Sequence, residues 1–345
     1  MYIFGLFDTL VVEKTYVSSN GLQLIWRMKM NMRTGRRRTK KLRKWRLISS
    51  LVIFSLVMSA SYFGYTYYSS FQAAKNDSDL SQEGYEFTGD KYEGTMNVLL
   101  IGVDSRGEER SNSDTIMIAQ YDSDSNKAKL ISIMRDTYVS IPGYIKKQKM
   151  NAAFLLGGPE LLRQTIKEHF DIDIHYYAIV DFNGFKAAVD AVFPEGIEMN
   201  VQDKMSKGLY VTLEPGLQRL NGKELLEYAR YRGDVHSDFG RVARQQEVLQ
   251  VVTDELLSVK GVMSLPKLLG TVKPYIDTDL KNKDMLSVLV SLMSNDERQI
   301  DTMRIPIEDS FENIVLNDEW GTEVLDVDLE ENKEAVQLFL NEDHE

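Results

Sequence analysis

Residues 97–143 read NVLLIGVDSRGEERSNSDTIMIAQYDSDSNKAKLISIMRDTYVSIPG, and this stretch decides the fold. It holds three short apolar runs rich in Ile, Val and Leu, at 97–103 (NVLLIGV), 115–121 (TIMIAQY) and 129–134 (KLISIM). Uninterrupted runs of this length between polar turns have the look of buried strands. Working outward, residues 159–169 carry helical spacing, with Gly157 and Gly158 before them and Pro159 at a first-turn position. Residues 176–182 read as a further strand, and 185–192 as a helix ended by Pro194 and Gly196. Beyond them, 222–231, 241–257, 265–272 and 285–293 read as helices and 300–305 as a late strand. The helix at 241–257 is amphipathic, with Val248, Leu249, Val252, Leu256 and Leu257 on neighbouring turns. Strands alternating with helices imply an α/β sandwich with helices on its faces.

Charge is divided unevenly along the 345 residues. Residues 1–74 hold 12 Lys and Arg against 2 Asp and Glu, whereas the rest holds 29 against 50. An acidic body repels nucleic acid, so an anionic ligand must meet a local basic cluster. With no cysteine in the chain, disulfides, thiolate metal sites and cysteine nucleophiles are excluded.

Residues 47–74 carry no formal charge, and 51–68 (LVIFSLVMSASYFGYTYY) is long and apolar enough to span hydrocarbon. Tyr62, Tyr65, Tyr67 and Tyr68 suit an outer interface. A dense basic run, from Arg36 to Arg46, precedes the span, and the positive-inside rule holds such a run in the cytoplasm. No small-residue cleavage pattern follows, so the expectation is a retained anchor rather than a removed signal peptide. The resulting organisation is a basic cytoplasmic tail at 1–46, a transmembrane helix at 47–70, a polar linker at 71–95, a core at 96–260, and C-terminal helices and a strand at 261–345 packed on that core. Translation is expected to start at Met28, Met30 or Met32, leaving 1–29 largely outside the protein. The acidic end from Asp318 onward is expected to hold one helix, near 333–340, and a mobile terminus.

Three clusters carry chemistry. Asp104, at the end of the first strand, and Asp114, opening the second, place two carboxylates near strand ends, and such a pair suits a hard divalent cation. Turn or cap duty is the plainer use of both. Arg135, after the third strand, can reach a cleft and bind phosphate bidentately, or simply pair with Asp136 on the surface. The densest signal is Arg230, Arg232, Arg241 and Arg244, four arginines within fifteen residues, with Asp234 and Asp238 among them. Converging on a pyrophosphate, they would neutralise a leaving phosphate; if Arg241 opens the long helix, its N-terminal amides add to the anion site. A solvated helix face with Glu224, Glu227 and Glu247 as partners is the alternative. The sequence holds no G-x-x-x-x-G-K-[ST], G-x-G-x-x-G or H-E-x-x-H motif. His169 and His175 read as structural and His236 as a loop residue.

In their order along the chain, NVLLIGVDSR, SDTIMI, ISIMRDTYVSIPG, KMNAAF, LNGKELLEYARYR and DFGRVARQQ make this protein resemble the LytR-CpsA-Psr family of thick-walled bacteria, over residues 96–252. Met134 stands where the family more often has Pro. The resemblance implies a central mixed β-sheet flanked by helices, preceded by one transmembrane helix. It also implies a membrane-anchored phosphotransferase, single-pass with its C-terminal domain outside. Such an enzyme joins an anionic glycopolymer, teichoic acid or capsule in type, from a polyprenyl-pyrophosphate carrier to peptidoglycan, with Mg²⁺ or Mn²⁺. On that resemblance Asp104 and Asp114 face the metal, Arg135, Arg230, Arg232 and Arg241 hold the pyrophosphate, and Asp238 and Gln245 order the arginines. Arg106 and Arg244 are further substrate-binding candidates, and Asp104 is also a candidate base. The alternatives are a membrane-bound transcriptional attenuator, a pyrophosphatase acting on the same lipid, and a wall-binding module without chemistry.

Overall fold

The computed structural model describes residues 39–75, 84–91, 94–104, 113–234, 237–281, 283–285, 287–288 and 300–342. The start-site reading, Arg106, His236 and much of the helix expected at 285–293 lie outside the described residues. In chain order come α1 (Thr39–Lys75), β1 (Thr95–Val103), β2 (Ser113–Asp122), β3 (Lys127–Ile133) and a small ribbon of β4 (Tyr138–Val139) and β5 (Gln148–Lys149). Then follow α2 (Met150–Phe170), β6 (Tyr176–Asp181), α3 (Phe182–Val192), β7 (Ile197–Val201), β8 (Gly216–Leu220), α4 (Gly222–Arg230), α5 (Ser237–Leu256) and α6 (Val259–Val272). The described chain ends with β9 (Ile276–Thr278), β10 (Asp301–Ile305), a hairpin of β11 (Phe311–Val315) and β12 (Glu323–Val327), and α7 (Leu329–Asn341).

The three apolar runs form consecutive antiparallel strands, β1 to β3. The central sheet has the order β10-β3-β2-β1-β6-β9, with β6 parallel to β1 and β10 parallel to β3, so it is mixed. Alternation along β1 serves both faces. Leu99, Ile101 and Val103 join the large core built with Leu162, Ile166 and Phe170 of α2 and Val336 of α7, whereas Met96 and Val98 belong to a second cluster with Tyr121. A third core, around Val189, Leu225, Tyr228 and Val248, ties α3, α4 and α5 to the β7–β8 ribbon. This is the flanked mixed sheet that the sequence implied.

Several boundaries differ from the sequence reading. Phe182 opens α3 rather than ending β6, because the Asp181 carboxylate accepts the Asn183 N–H at 2.6 Å and so caps the helix. Helix α5 starts at Ser237, which puts Arg241 in its second turn and not at its N-terminus. The segment after 260 does more than pack on the core, since it supplies both edge strands, β9 and β10. The acidic end likewise contributes β12 as well as α7, with Val324, Leu325 and Val336 buried. Met134 donates its N–H to the Ile305 carbonyl at 2.9 Å, a bond that proline at this position would remove.

Residues 84–91, read as linker, are a strap on the body. The Tyr85 ring lies 6.1 Å from Phe154, and Phe87 lies 5.0 Å from Tyr177. Asp90 exchanges backbone and side-chain hydrogen bonds with Ile174 and pairs with Arg163 at 3.0 Å. Two aromatic rings in a polar segment find enough apolar surface to outweigh its composition. Tyr85 meets α2 where Gly157 and Gly158 break the helix; Gly158 has φ 66 and ψ −160, and a Cβ there would stand 2.7 Å from Tyr85. That backbone region is almost closed to other residues, so Gly158→Ala is expected to destabilise the protein by about 1–3 kcal/mol. Urea unfolding checks this, and an unchanged midpoint would contradict it.

Within α1, residues 48–75 contain an 18-residue window of mean hydropathy 1.5, and the stretch is long and apolar enough by length and composition to cross a membrane. Nearer its end, α6 closes on the Tyr67 backbone at Gly270, where a Cβ would come within 2.3 Å of the Tyr67 carbonyl oxygen.

Candidate functional site

Strand direction gathers the candidate residues at one edge of the sheet. β1 and β6 run in parallel and end side by side, with Val103 opposite Asp181, so Asp104 and Phe182 emerge together. β2 begins at the same edge. There its pairing with β1 slips between Gly102–Thr115 and Val103–Ser113, leaving Asp114 as the extra residue of a bulge. β3 ends there too and delivers Arg135. Outside the carboxyl ends of parallel strands is where open α/β sheets bind ligands.

Helices supply the rest. The capping box of α4, in which the Asn221 side chain accepts from Glu224 N–H and Glu224 accepts from Asn221 N–H, fixes where the helix starts and so where Arg230 ends it. Asp238, Arg241 and Gln245 sit three and then four residues apart in α5, hence on one face. Asp114, Arg135, Arg230, Arg232, Arg241 and Gln245 line one cavity of about 330 Å³, shared with Phe182, Glu227 and the loop of Gly208, Leu209 and Tyr210.

Contacts inside this cluster are specific. Arg135 reaches Asp114 at 2.5 Å, Asp136 at 3.4 Å and Asp238 at 3.8 Å. Asp136 is also held by Lys149 at 2.6 Å, so Arg135 and Asp136 are not an isolated surface pair. Arg230 donates to Asp104 at 3.2 Å and lies over the Phe182 ring at 5.1 Å. Asp238 bridges Arg232 at 3.1 Å and Arg241 at 2.9 Å. Gln245 donates to the Thr115 hydroxyl at 3.1 Å, tying α5 to β2.

Electrostatics at this site favour an anion. Arg241 is only 3% exposed and its Nε has no hydrogen-bond partner. Burial pushes its guanidinium down to about 10 against the pull of Asp238, with Arg232 and Arg135 adding repulsion. Burial and then Arg135 lower Arg232 as well. Arg135 is raised, because Asp136, Asp238 and Asp114 together outweigh its burial. Clustered guanidinium groups that repel one another are relieved when an oxyanion enters among them.

Arg244 is absent from the cavity lining. It donates to Asp234 at 2.5 Å and to the Tyr231 carbonyl, and its guanidinium lies over the Tyr231 ring, so it braces the loop that carries Arg232. The three glutamates offered as partners for a solvated arginine face have other duties. Glu224 caps α4, Glu247 accepts the Tyr228 hydroxyl at 2.6 Å, and Glu227 accepts Tyr210 N–H at 2.9 Å. Phe182 and the 208–210 loop escaped the sequence reading, which placed Glu227 only as a partner for a solvated arginine face. Glu227 had a signal, since it precedes Arg230 by one helical turn and shares its face.

Asp104 and Asp114 offer hard oxygen donors from neighbouring strand ends. Among the described residues no group of three or more His, Cys, Asp or Glu side chains could hold a metal, so a complete protein cage is not offered. Two carboxylates fit an ion such as Mg²⁺, which takes one or two of them and completes its shell with water and substrate phosphate.

Residues 61–337 match the LytR_cpsA_psr family. Regulatory protein MsrR of Staphylococcus aureus is 40% identical over 260 residues, 75% of this chain and 79% of that protein. The polyisoprenyl-teichoic acid–peptidoglycan teichoic acid transferase TagU of Oceanobacillus iheyensis is 32% identical over 291 residues, 80% of this chain and 89% of that protein. A crystal structure of TagV from B. subtilis superposes with a TM-score of 0.61 at 25% identity, covering 74% of this chain and all of that one.

Proposed function

Since this chain belongs to the LytR-CpsA-Psr family, we propose that it transfers an anionic glycopolymer, teichoic acid or capsule in type, from a polyprenyl-pyrophosphate carrier to peptidoglycan. The observation that carries this reading is the convergence of Arg135, Arg230, Arg232 and Arg241 on one cavity beside Asp104 and Asp114. The name of the relative TagU, a teichoic acid transferase, supports the substrate class.

In this reading the four guanidinium groups bind the pyrophosphate and take up the charge that grows on the leaving phosphate. Asp238 keeps Arg232 and Arg241 apart and aimed inward, and Gln245 holds the first turns of α5 against β2. Asp104 and Asp114 would hold Mg²⁺ or Mn²⁺, which when bound neutralises phosphate charge. The chain is anchored by α1 as a single-pass protein, with the basic tail in the cytoplasm and the body outside, where lipid-linked polymer and wall meet.

Full-length protein in detergent, given Mg²⁺, labelled lipid-linked teichoic acid and peptidoglycan, is expected to move label into the peptidoglycan through a phosphodiester. Release of free polymer alone would indicate a pyrophosphatase instead, and no turnover would overturn the reading. MsrR, named a regulatory protein, favours a second reading in which the chain acts on gene expression. That reading requires normal wall polymer content in cells lacking the protein, whereas transferase activity requires a loss.

A further inference from the structure

We propose that Glu227 is the general base that takes the proton from the acceptor hydroxyl; this rests on the transferase reading above. The aspartates at the cavity are each engaged by arginine. Asp114 is bound to Arg135, Asp104 to Arg230, and Asp238 to Arg232 and Arg241. A carboxylate whose oxygens already receive guanidinium N–H groups has fewer lone pairs open to an incoming hydroxyl.

Glu227 is different. It lines the same cavity at 5% exposure, and among the described residues no Lys or Arg lies within ion-pair distance of it. Its Oε2 accepts a neutral donor, Tyr210 N–H, at 2.9 Å, and no hydrogen-bond donor among the described residues reaches Oε1. The charged and titratable groups that face this cavity with it are Asp114, Arg135, Tyr210, Arg230, Arg232 and Arg241. All four cations of that set are arginines, which the pyrophosphate would occupy.

Position supports the same role. Tyr210, on the wall that Glu227 holds, is 74% exposed, so this side of the cavity opens to solvent. An acceptor from the wall enters there and meets Glu227, with the pyrophosphate on the guanidinium groups beyond. The carboxylate is also pre-set, because Leu225 and Tyr228 on either side of it are core residues and the capping box fixes the helix start. A carboxylate oxygen that no protein donor reaches is open to accept the hydrogen bond, and then the proton, of an entering hydroxyl.

The step balances. The acceptor O–H proton passes to a Glu227 oxygen while the hydroxyl oxygen bonds to the phosphorus nearer the glycan. The bond from that phosphorus to the bridging oxygen breaks, its electron pair leaves on polyprenyl monophosphate, and Glu227 then returns the proton to solvent.

Glu227→Gln tests this, because glutamine retains an acceptor for Tyr210 N–H and cannot take the proton. Transfer is expected to fall by about 10²–10⁴-fold, the usual contribution of a general base. Affinity for inorganic pyrophosphate with Mg²⁺, read by calorimetry, is expected to stay within about threefold, since the arginines remain. Transfer by E227Q within fivefold of wild type would overturn the assignment while leaving the transferase reading intact. A wild-type protein that transfers nothing would overturn both. If E227Q also loses pyrophosphate binding, E227A with added formate decides: recovered transfer supports the assignment and no recovery rejects it.

Discussion

Replacing Arg135 by alanine is expected to lower kcat/KM for polymer transfer by about 10²–10³-fold, or about 3–4 kcal/mol of transition-state stabilisation, with the fold retained. Arg135 faces Asp114, Asp136 and Asp238, and it is the cation that three strand-end and helix carboxylates share. In the transfer reading, removing it would take one guanidinium from the pyrophosphate and leave those carboxylates facing the same anion. Both effects act against a transition state that gathers negative charge on the leaving phosphate. Arg135→Lys is expected to recover only part of the loss, because a point-like ammonium cannot span two oxygens as a planar fork does. Its side chain is partly exposed, which spares the core. Steady-state kinetics beside urea unfolding separate the two outcomes, and R135A activity within fivefold of wild type would sink the assignment.

Loss of Asp238 is expected to act first on stability. Among the described residues its carboxylate is the ion-pair partner of Arg241, which is 3% exposed with its Nε already unsatisfied. Asp238→Ala leaves that guanidinium buried without a counter-charge and exposes it fully to repulsion from Arg232 and Arg135. Breaking a buried pair from one side costs about 3–5 kcal/mol. Inorganic pyrophosphate supplies negative charge at the same place, so it is expected to raise the Tm of the variant by more than it raises that of wild type. A urea midpoint within about 1 kcal/mol of wild type, or equal stabilisation of both proteins by pyrophosphate, would show that Asp238 does not organise the cluster.

Much of this was legible in the chain because local physics wrote it there. The runs at 97–103, 115–121 and 129–134 are strands since they are short, apolar and rich in branched side chains, and β1, β2 and β3 follow them closely. The strap at 84–91 was hidden by its polar composition, because the groups that attach it, Tyr85, Phe87 and Asp90, find partners remote in sequence. The start of α5 was placed late, since residues 237–241 show no apolar periodicity, and Phe239 and Val242 find their apolar partners Met134 and Leu325 only in the fold. β11 and β12 were missed for a related reason: both strands are short, β11 has no buried residue, and only their pairing defines them.

The sequence by itself determined the sheet-and-helix character, the long apolar helix, and the kind of side chain available for an anion. Periodicity and residue type are local properties, and they are enough for that. Tertiary structure alone decided which of those side chains meet. Arg230 touches Asp104 from 126 positions away, and Gln245 touches Thr115 from 130. Those distances close because β6 inserts parallel to β1 and a bulge turns Asp114 at their shared edge. Strand order is a property of the whole core, and no local pattern carries it. The same packing sent Arg244 behind the site and brought Glu227 into it, although both belong to helices that the sequence had already drawn.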